Sequence, residues 1–494
     1  GVGGAAYIRS RFTPDTTPGP GEDGEIVTVA EGQLQGTIND GIYRYLGVPY
    51  AEAAERFVIA GPVTPWEGVL KADSYGPMSP QGSMLGFGAG NQDGTDNNCQ
   101  NLNIWTPGLN DGGLRPVLVW LHGGGFSTGT ANDSSYDGEA LAKNGDVVVV
   151  SVNHRLNVFG YLDLSAYDEK YKDSANVGMW DIIAALEWIQ QNIEVFGGDP
   201  DNVTVFGQSG GGAKVLGLMS TPYAVGLFHK GIVESGVTET VGVNFTSQEA
   251  STRLAENLLA ELNIAPENIE QLQIVAVDKL QSAATKALDA TAQEFQIPAP
   301  LTDGYQMEWE PVVDGDFLPT SPVTETNFAD AGQDIPLLIG SNLNEWTGFY
   351  RTSTDGVDTD ALSAALKTAY PDKTDLTADH VDTLIRLPIL KTMSHKADQN
   401  GAPVYAYLLT YGSSNHGAEI PYIFRHSDVS AMNDLFSSIW VNFARSGVPS
   451  ADSLPTWEPY TREGGATMLL DTTSQLVYHH DAALLKLLAP DYEY

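Results

Sequence analysis

The sequence predicts an α/β protein built on a large, mostly parallel central sheet flanked by helices. Its internal apolar segments are short and almost uninterrupted, as in strands that are covered on both faces. A stretch with apolar residues at helical spacing, residues 181–189, separates two of these segments and fits a crossover helix. Such alternation of strands and helices is typical of parallel sheets. The predicted strands are residues 116–121, 146–152, 203–206, 335–339 and 404–409.

Three further segments complete the predicted organisation. Residues 1–24 end in a stretch rich in proline, glycine and acidic residues, which predicts a flexible leader. Residues 25–29 and 41–48 are rich in β-branched and aromatic side chains and predict an antiparallel opening of the sheet. Residues 247–291 show three amphipathic helical patterns, which predict a helical insertion over the functional site. We expect a single α/β domain over residues 25–494.

A Gly-Gln-Ser-Gly-Gly pattern at residues 207–211 predicts a catalytic serine. The preceding residues 202–206 favour a strand, whereas residues 213–219 can continue as a buried helix. A serine on a tight strand-to-helix turn has an exposed hydroxyl, and the N–H group that follows it faces the reacting carbonyl. We therefore identify Ser209 as the candidate nucleophile of an acyl-transfer reaction.

A second serine fits the same pattern. Ser127 lies within residues 125–129, but residues 130–133 are typical of a turn rather than of the start of a helix. A pattern with three fixed positions also arises by chance in a chain rich in glycine. The context favours Ser209, and Ser127 remains the alternative.

A serine nucleophile needs a base, and a histidine base needs a carboxylate that fixes its tautomer. In α/β sheets such groups lie just beyond the carboxyl ends of strands. His416 follows the predicted strand at 404–409, and Glu345 follows the one at 335–339. The order serine, acid, histidine is the one that this architecture uses. The alternatives are Asp314 for the acid, and His229 or His426 for the base.

Glycines that follow the predicted strand at 116–121 indicate a loop that stabilises negative charge. Residues 122–126 read His-Gly-Gly-Gly-Phe, and glycine lets backbone N–H groups approach a ligand closely. A tetrahedral intermediate carries negative charge on the former carbonyl oxygen. We expect the N–H groups of Gly124, Gly125 and Gly210 to form an oxyanion hole. Phosphate binding is the weaker interpretation, because the loop lacks the lysine of a phosphate-binding loop.

The charge balance excludes two kinds of partner. The chain has 25 Lys and Arg against 63 Asp and Glu, a formal net charge of −38 at pH 7. This charge repels nucleic acid and anionic membranes, so we expect neither as a partner. An acidic surface that keeps the protein soluble, or suits it to high salt, explains this net charge more simply than the steering of cationic substrates does. Physiological salt screens charges beyond about 8 Å. No stretch reaches the roughly 18 apolar residues that a membrane span needs.

Cysteine and histidine usage indicates a protein without disulfides, metals or other cofactors. Cys99 is the only cysteine, and the nine histidines show no pair at metal-ligand spacing beside a carboxylate. The chain begins with glycine rather than methionine, which agrees with a cleaved export signal and equally with a trimmed chain. We therefore favour a secreted or periplasmic protein over a cytoplasmic one.

The chain resembles the type-B carboxylesterase family of the α/β-hydrolase fold, which also contains cholinesterases and fungal lipases. The resemblance covers nearly everything from about residue 25 to the C-terminal region. The motifs that carry it are residues 56–57, 65–69, 102–107, 152–156, 192–193, 196–200, 311–315, 416–419 and 440–444.

This resemblance implies the same site as the residues themselves. It implies a triad of Ser209, Glu345 and His416 and oxyanion donors at Gly124, Gly125 and Gly210. Gly210 replaces the family's commoner alanine, a change that the role of an N–H donor tolerates. The resemblance also implies that Asp314 belongs to a structural turn.

The resemblance further implies an acyl pocket. Tyr305, Met307 and Phe349 stand at positions that resemble those of the family's pocket, where bulky groups favour short acyl chains. Core packing is an equally good explanation of each.

The chain also departs from its relatives. Many of them pair the cysteine at the Cys99 position with an earlier one, but residues 76–81 contain none. Cholinesterases carry a glutamate just before the serine and a tryptophan in the loop before Cys99, where this chain has Gln208 and, in the loop, Phe87 and Ala89. We therefore do not expect specificity for choline esters.

The sequence predicts a metal-free serine carboxylesterase. It would hydrolyse a small-molecule ester to acid and alcohol through an acyl-enzyme, with a preference for short acyl chains. One alternative is a specialised hydrolase that acts on a lipid, a toxin ester or an aromatic diester, because loops form the pocket walls. A non-catalytic binding protein on the same fold is the more remote alternative. The sequence indicates no oligomeric state.

Overall fold

The computed structural model describes residues 21–82, 92–240, 243–346 and 348–494. Thirteen strands of these residues form one sheet, and two short strands, β10 and β11, form a second. The strands are β1 (Glu22–Val29), β2 (Gly32–Asn39), β3 (Ile42–Pro49), β4 (Val69–Lys71), β5 (Asn101–Thr106), β6 (Arg115–Leu121), β7 (Val148–Val152), β8 (Gly198–Gln208), β9 (Lys230–Glu234), β10 (Thr246–Ser247), β11 (Val312–Val313), β12 (Leu337–Asn342), β13 (Val404–Leu409), β14 (Ala466–Leu470) and β15 (Gln475–Tyr478).

The middle of the large sheet is parallel and its two margins are antiparallel. The strand order is β1-β2-β3-β5-β7-β6-β8-β9-β12-β13-β14-β15, with β4 beside β2. Strands β7, β6, β8, β9, β12, β13 and β14 run parallel to one another. The carboxyl ends of β6, β8, β12 and β13 therefore open on the same edge, which is where loops can bring distant residues together.

The predicted strands lie in this parallel region, because residues 116–121, 146–152, 203–206, 335–339 and 404–409 fall largely in β6, β7, β8, β12 and β13. The predicted antiparallel opening is also present, with β2 between β1 and β3. One boundary was wrong, since β1 begins at Glu22 and so takes in the last residues of the predicted leader. Residues 1–20 of that leader, and Phe87 and Ala89, lie outside the described residues.

Helices cover both faces of the sheet. Alternate side chains of β6 show why, because Val117 and Val119 join one buried cluster whereas Leu118 and Trp120 join the other. The helices are α1 (Glu139–Gly145), α2 (Asn157–Tyr161), α3 (Val177–Asn192), α4 (Gly210–Leu218), α5 (Gln248–Leu262), α6 (Val277–Phe295), α7 (Thr359–Ala369), α8 (Arg386–Asp398), α9 (Ile420–Ile423), α10 (Ser430–Ser446) and α11 (Ala482–Leu488).

The residues of the predicted helical insertion form α5, a 3₁₀ segment at Pro266–Gln273, and α6. Helix α5 begins where the side chain of Ser247 accepts a hydrogen bond from the N–H of Ala250. Helix α6 runs to Phe295, four residues beyond the predicted end, and buries an apolar stripe against the first cluster. Within the ranges that the structure covers, no helix is both long and apolar enough to span a bilayer.

Candidate active site

Ser209 lies on a sharp turn between β8 and α4. Its backbone has φ 57° and ψ −121°, a conformation that residues with a Cβ rarely adopt. The turn is held on one side by a hydrogen bond from the N–H of Ser209 to the carbonyl of Glu234, 2.8 Å. On the other side, a Cβ at Gly211 would lie 1.9 Å from the carbonyl oxygen of Leu121, so glycine is required for this approach of α4 to β6. The strand-to-helix turn predicted around Ser209 is present.

Glu345 and His416 meet beyond the ends of β12 and β13. Oε2 of Glu345 lies 2.7 Å from Nδ1 of His416, and the N–H of His416 donates to the carbonyl of Glu345, also at 2.7 Å. The ring of Trp346 stacks on the imidazole with a centroid separation of 4.0 Å. The side-chain contact with Glu345, the main-chain hydrogen bond and the stacking of Trp346 together fix the orientation of the imidazole.

The other carboxylate oxygen of Glu345 is also held. The N–H of Asn342 donates to Oε1 at 3.0 Å, and the hydroxyl of Ser235 donates to the same atom. Burial raises the pKa of Glu345 to about 8, and the negative charge of Glu419 adds to the rise, whereas these two hydrogen bonds lower it. Both oxygens accept hydrogen bonds, which is the arrangement that suits the ionised carboxylate.

The loop of Gly124 and Gly125 lies directly against the start of α4. Both glycines have positive φ, 97° and 60°, and the carbonyl of Gly124 accepts the N–H of Thr128 at 3.0 Å. A Cβ at Gly210 would lie 2.2 Å from the carbonyl oxygen of Gly125. Within the ranges described, the N–H groups of Gly124, Gly125 and Gly210 donate to no protein acceptor. The loop of Gly124 and Gly125 and the residue Gly210, which carry the three predicted donors, are therefore adjacent.

A buried lysine ties this loop to the helix that follows Ser209. Nζ of Lys214, in α4, donates to the carbonyl of His122 at 2.9 Å and lies 5.5 Å from the centre of the Phe126 ring. The ring of His122 stacks on that of His154 at 4.9 Å. Burial lowers the pKa values of all three basic groups well below their usual range. Sequence reasoning missed Lys214, although a lysine inside an otherwise apolar helix was a signal that could have found it.

The three predicted pocket residues differ in their surroundings. Met307 is buried and lines a cavity of about 570 Å³ beneath α6, beside Ser127. Phe349 is half-buried, with its ring 6.2 Å from that of Trp346, which stacks on His416. Tyr305 is exposed, with 41% of its surface accessible.

The alternative residues have other contacts. The hydroxyl of Ser127 points to Glu308 at 3.5 Å. His229 accepts the N–H of Val203 at 2.9 Å, and His426 contacts the carbonyl of Asp137 at 3.0 Å. Asp314 accepts the N–H groups of Asp316 and Leu318, which makes it the anchor of a turn.

Comparison with known proteins tests the resemblance. The model of the carboxylesterase family matches residues 23–378 and 361–484. The chain belongs to the carboxylesterase family. It is 33% identical over 486 residues to the para-nitrobenzyl esterase of Bacillus subtilis (strain 168), with 91% of this chain and 95% of that protein covered. It is 30% identical over 492 residues to the phenmedipham hydrolase of Pseudarthrobacter oxydans, with 90% and 94% covered.

Solved structures agree with this assignment. An esterase from anaerobic Clostridium hathewayi that can hydrolyze aliphatic aromatic polyesters superposes with a TM-score of 0.84 at 32% identity, over 97% of this chain and 100% of that one. A para-nitrobenzyl esterase structure superposes with a TM-score of 0.75 at 31% identity, over 94% and 99%. The predicted α/β-hydrolase fold and carboxylesterase class are confirmed, and the chain is a carboxylic ester hydrolase.

Proposed function

We propose that ester hydrolysis by this chain runs through an acyl-enzyme on Ser209, with His416 as the base and Glu345 as the residue that orients it. The observation that carries the proposal is the 2.7 Å contact between Glu345 Oε2 and His416 Nδ1. A carboxylate there holds the imidazole proton on Nδ1 and leaves a lone pair on Nε2. That tautomer is the one that can accept a proton from a serine hydroxyl.

The proposed reaction has two stages. Oγ of Ser209 attacks the ester carbonyl carbon while its proton passes to Nε2 of His416, and collapse of the intermediate expels the alcohol with that proton. Water then gives a proton to His416 and attacks the acyl-serine carbonyl. Collapse of this second intermediate releases the acid while His416 returns the proton to Oγ of Ser209. The N–H groups of Gly124, Gly125 and Gly210 stabilise the oxyanion of both intermediates, each by about 3–4 kcal/mol.

An organophosphonate serine probe tests the nucleophile. We expect one adduct per chain, located on Ser209 by peptide mass spectrometry, and loss of roughly 10⁶-fold in kcat for Ser209→Ala. The matched control is Ser127→Ala, which should keep its turnover because the hydroxyl that it removes donates to Glu308, at 3.5 Å. Labelling at Ser127, or substantial turnover by Ser209→Ala, would show that the nucleophile is misassigned.

We also propose a preference for short acyl chains. Two of the bulky pocket candidates support it, since Met307 lines the cavity beneath α6 and Phe349 lies beside the Trp346–His416 stack. A ladder of p-nitrophenyl esters from acetate to octanoate should show kcat/KM falling with chain length. Met307→Ala should flatten that decline, and a ladder that rises with length contradicts the preference.

Aromatic diesters are a second candidate substrate class. The likeness to the Clostridium hathewayi polyester-hydrolysing esterase supports this candidate, with its TM-score of 0.84. The cavity of about 570 Å³ beside Met307 has the size of an ordinary ligand pocket, although neither Ser209 nor His416 is among the described residues that line it. Bis(2-hydroxyethyl) terephthalate distinguishes the two candidates, because an enzyme of short aliphatic esters should turn it over far more slowly than p-nitrophenyl acetate.

A further inference from the structure

Gln208, the last residue of β8, contacts the imidazole that the proposed function makes the base. Its side-chain Nε2 lies 3.1 Å from Nε2 of His416, and the residue is 1% exposed. The opposite ring nitrogen is engaged by Glu345. Because a carboxylate at Nδ1 keeps the proton on that nitrogen, Nε2 of His416 carries a lone pair and the amide N–H of Gln208 is the donor.

The other end of the same amide lies against the glycine loop. A Cβ at Gly123 would stand 2.9 Å from Oε1 of Gln208 and 3.0 Å from its carbonyl oxygen. The amide therefore fills a space that exists only because residue 123 has no side chain. Gln208 lies between His416 on one side and the loop that continues to Gly124 and Gly125 on the other.

We propose that Gln208 is a positioning residue that holds His416 in its neutral, proton-accepting form before the substrate arrives. This inference rests on the proposed function, because it needs His416 to be the base. A hydrogen bond donated to the lone pair of Nε2 stabilises the neutral imidazole relative to the imidazolium. The same lone pair accepts the proton of Ser209, so the hydrogen bond from Gln208 breaks as that proton is transferred. Rotation of the amide by half a turn then presents Oε1 as an acceptor for the imidazolium, so the same side chain serves both forms.

A carboxylate in this position would act in the opposite direction. Glutamate at residue 208 would place a negative charge about 3 Å from Nε2 and stabilise the imidazolium, which raises the pKa of a histidine by about 1–3 units. The carboxylates already near this site stay unchanged in such a variant, so their effects cancel in the comparison. Glu345 contacts Nδ1 of His416, and Glu419 and Asp382 interact electrostatically with Glu345.

The pH dependence of kcat/KM tests this role, with p-nitrophenyl acetate as the substrate. We expect the acidic limb of Gln208→Glu to move upward by at least about one pH unit, with kcat/KM about 10-fold lower near pH 6 and close to wild type near pH 9. Gln208→Met removes the N–H without adding charge, and its limb should move in the same direction by a smaller amount. A residue that only fills space would leave the limb in place.

The control is Gln475→Glu, which adds the same charge at an exposed position of β15. Its profile should match that of the wild type, and a profile that moves equally in this control would overturn the proposal, because net charge would then explain the effect. If Gln208→Glu does not fold, the pH profile of Gln208→Met tests the proposal instead. The proposal is overturned if the acidic limb of kcat/KM stays in place in whichever of the two variants is folded. Failure of the proposed function gives a different result, namely turnover by Ser209→Ala.

Discussion

Replacing Gly210 by alanine, the residue that is commoner at this position in the family, tests how closely the Gly124–Gly125 loop of this particular chain lies against helix α4. The added Cβ would stand 2.2 Å from the carbonyl oxygen of Gly125 and 2.5 Å from its carbonyl carbon. Non-bonded atoms settle about 3.5 Å apart, so the loop or the first turn of α4 has to move by roughly 1 Å. The proposed donors of the oxyanion hole lie on both of these segments.

That displacement sets the expected magnitude. A 1 Å error in the placement of catalytic groups can cost about 100-fold, or about 2.7 kcal/mol of transition-state stabilisation. Because the oxyanion develops only in the transition state, kcat should fall while KM changes little. Overpacking should lower the free energy of unfolding by about 1–3 kcal/mol. Steady-state kinetics with p-nitrophenyl acetate and a urea denaturation curve measure the two effects.

The matched control lies on the same helix. A Cβ at Gly217 would lie 3.0 Å from Cε of Met179, which is the flexible end of a side chain. Gly217 lies near the end of α4 that is away from the Gly124–Gly125 loop. Gly217→Ala should therefore keep the wild-type kcat. If Gly210→Ala also kept kcat within about 3-fold and unfolded at the wild-type urea concentration, the described approach of loop and helix would be wrong.

Two further predictions concern buried charges. Asp181→Asn leaves the fully buried guanidinium of Arg155, 2.9 Å away, without a counter-charge. We expect the free energy of unfolding, measured by urea denaturation, to fall by about 3–5 kcal/mol. A fall of less than about 1 kcal/mol would contradict this prediction. Burial alone would raise the pKa of Asp481, but the charge and hydrogen bonds of Arg386 hold this pKa at about 2. The ionised Asp481 therefore stabilises the fold above about pH 4, and this contribution is lost as the pH falls through 2. Asp481→Asn should flatten the acid-unfolding curve, and an unchanged curve would contradict this prediction.

The sequence predicted the parallel strands best, because their burial on both faces leaves a continuous apolar run. Strand β9 was missed although it lies in the middle of the sheet, between β8 and β12. It has only five residues and begins and ends with charged ones, Lys230 and Glu234. Glu234 can be buried there because the indole of Trp440 in α10 donates to it at 3.1 Å, a contact across 206 residues that no local pattern shows.

The candidate site was predictable to the extent that it follows strand ends. Ser209, Glu345 and His416 each follow a parallel strand, and the sheet brings such positions to one edge. The contacts between side chains were not predictable. Gln208 could be noted from the sequence as a departure from relatives, but its contact with His416 depends on the packing of β8 against the loop after β13. The support that Lys214 gives to the carbonyl of His122 depends on the same kind of non-local packing.

The conformation of Ser209 has a consequence for the improvement of this enzyme by selection. A residue with a Cβ at φ 57° and ψ −121° stores strain of about 1–3 kcal/mol, which glycine at the same position would release. A library selected for heat resistance or yield alone is therefore enriched in variants that have lost the hydroxyl. Each round of such a selection has to include a measurement of turnover, because the variant of residue 209 that is most stable is inactive.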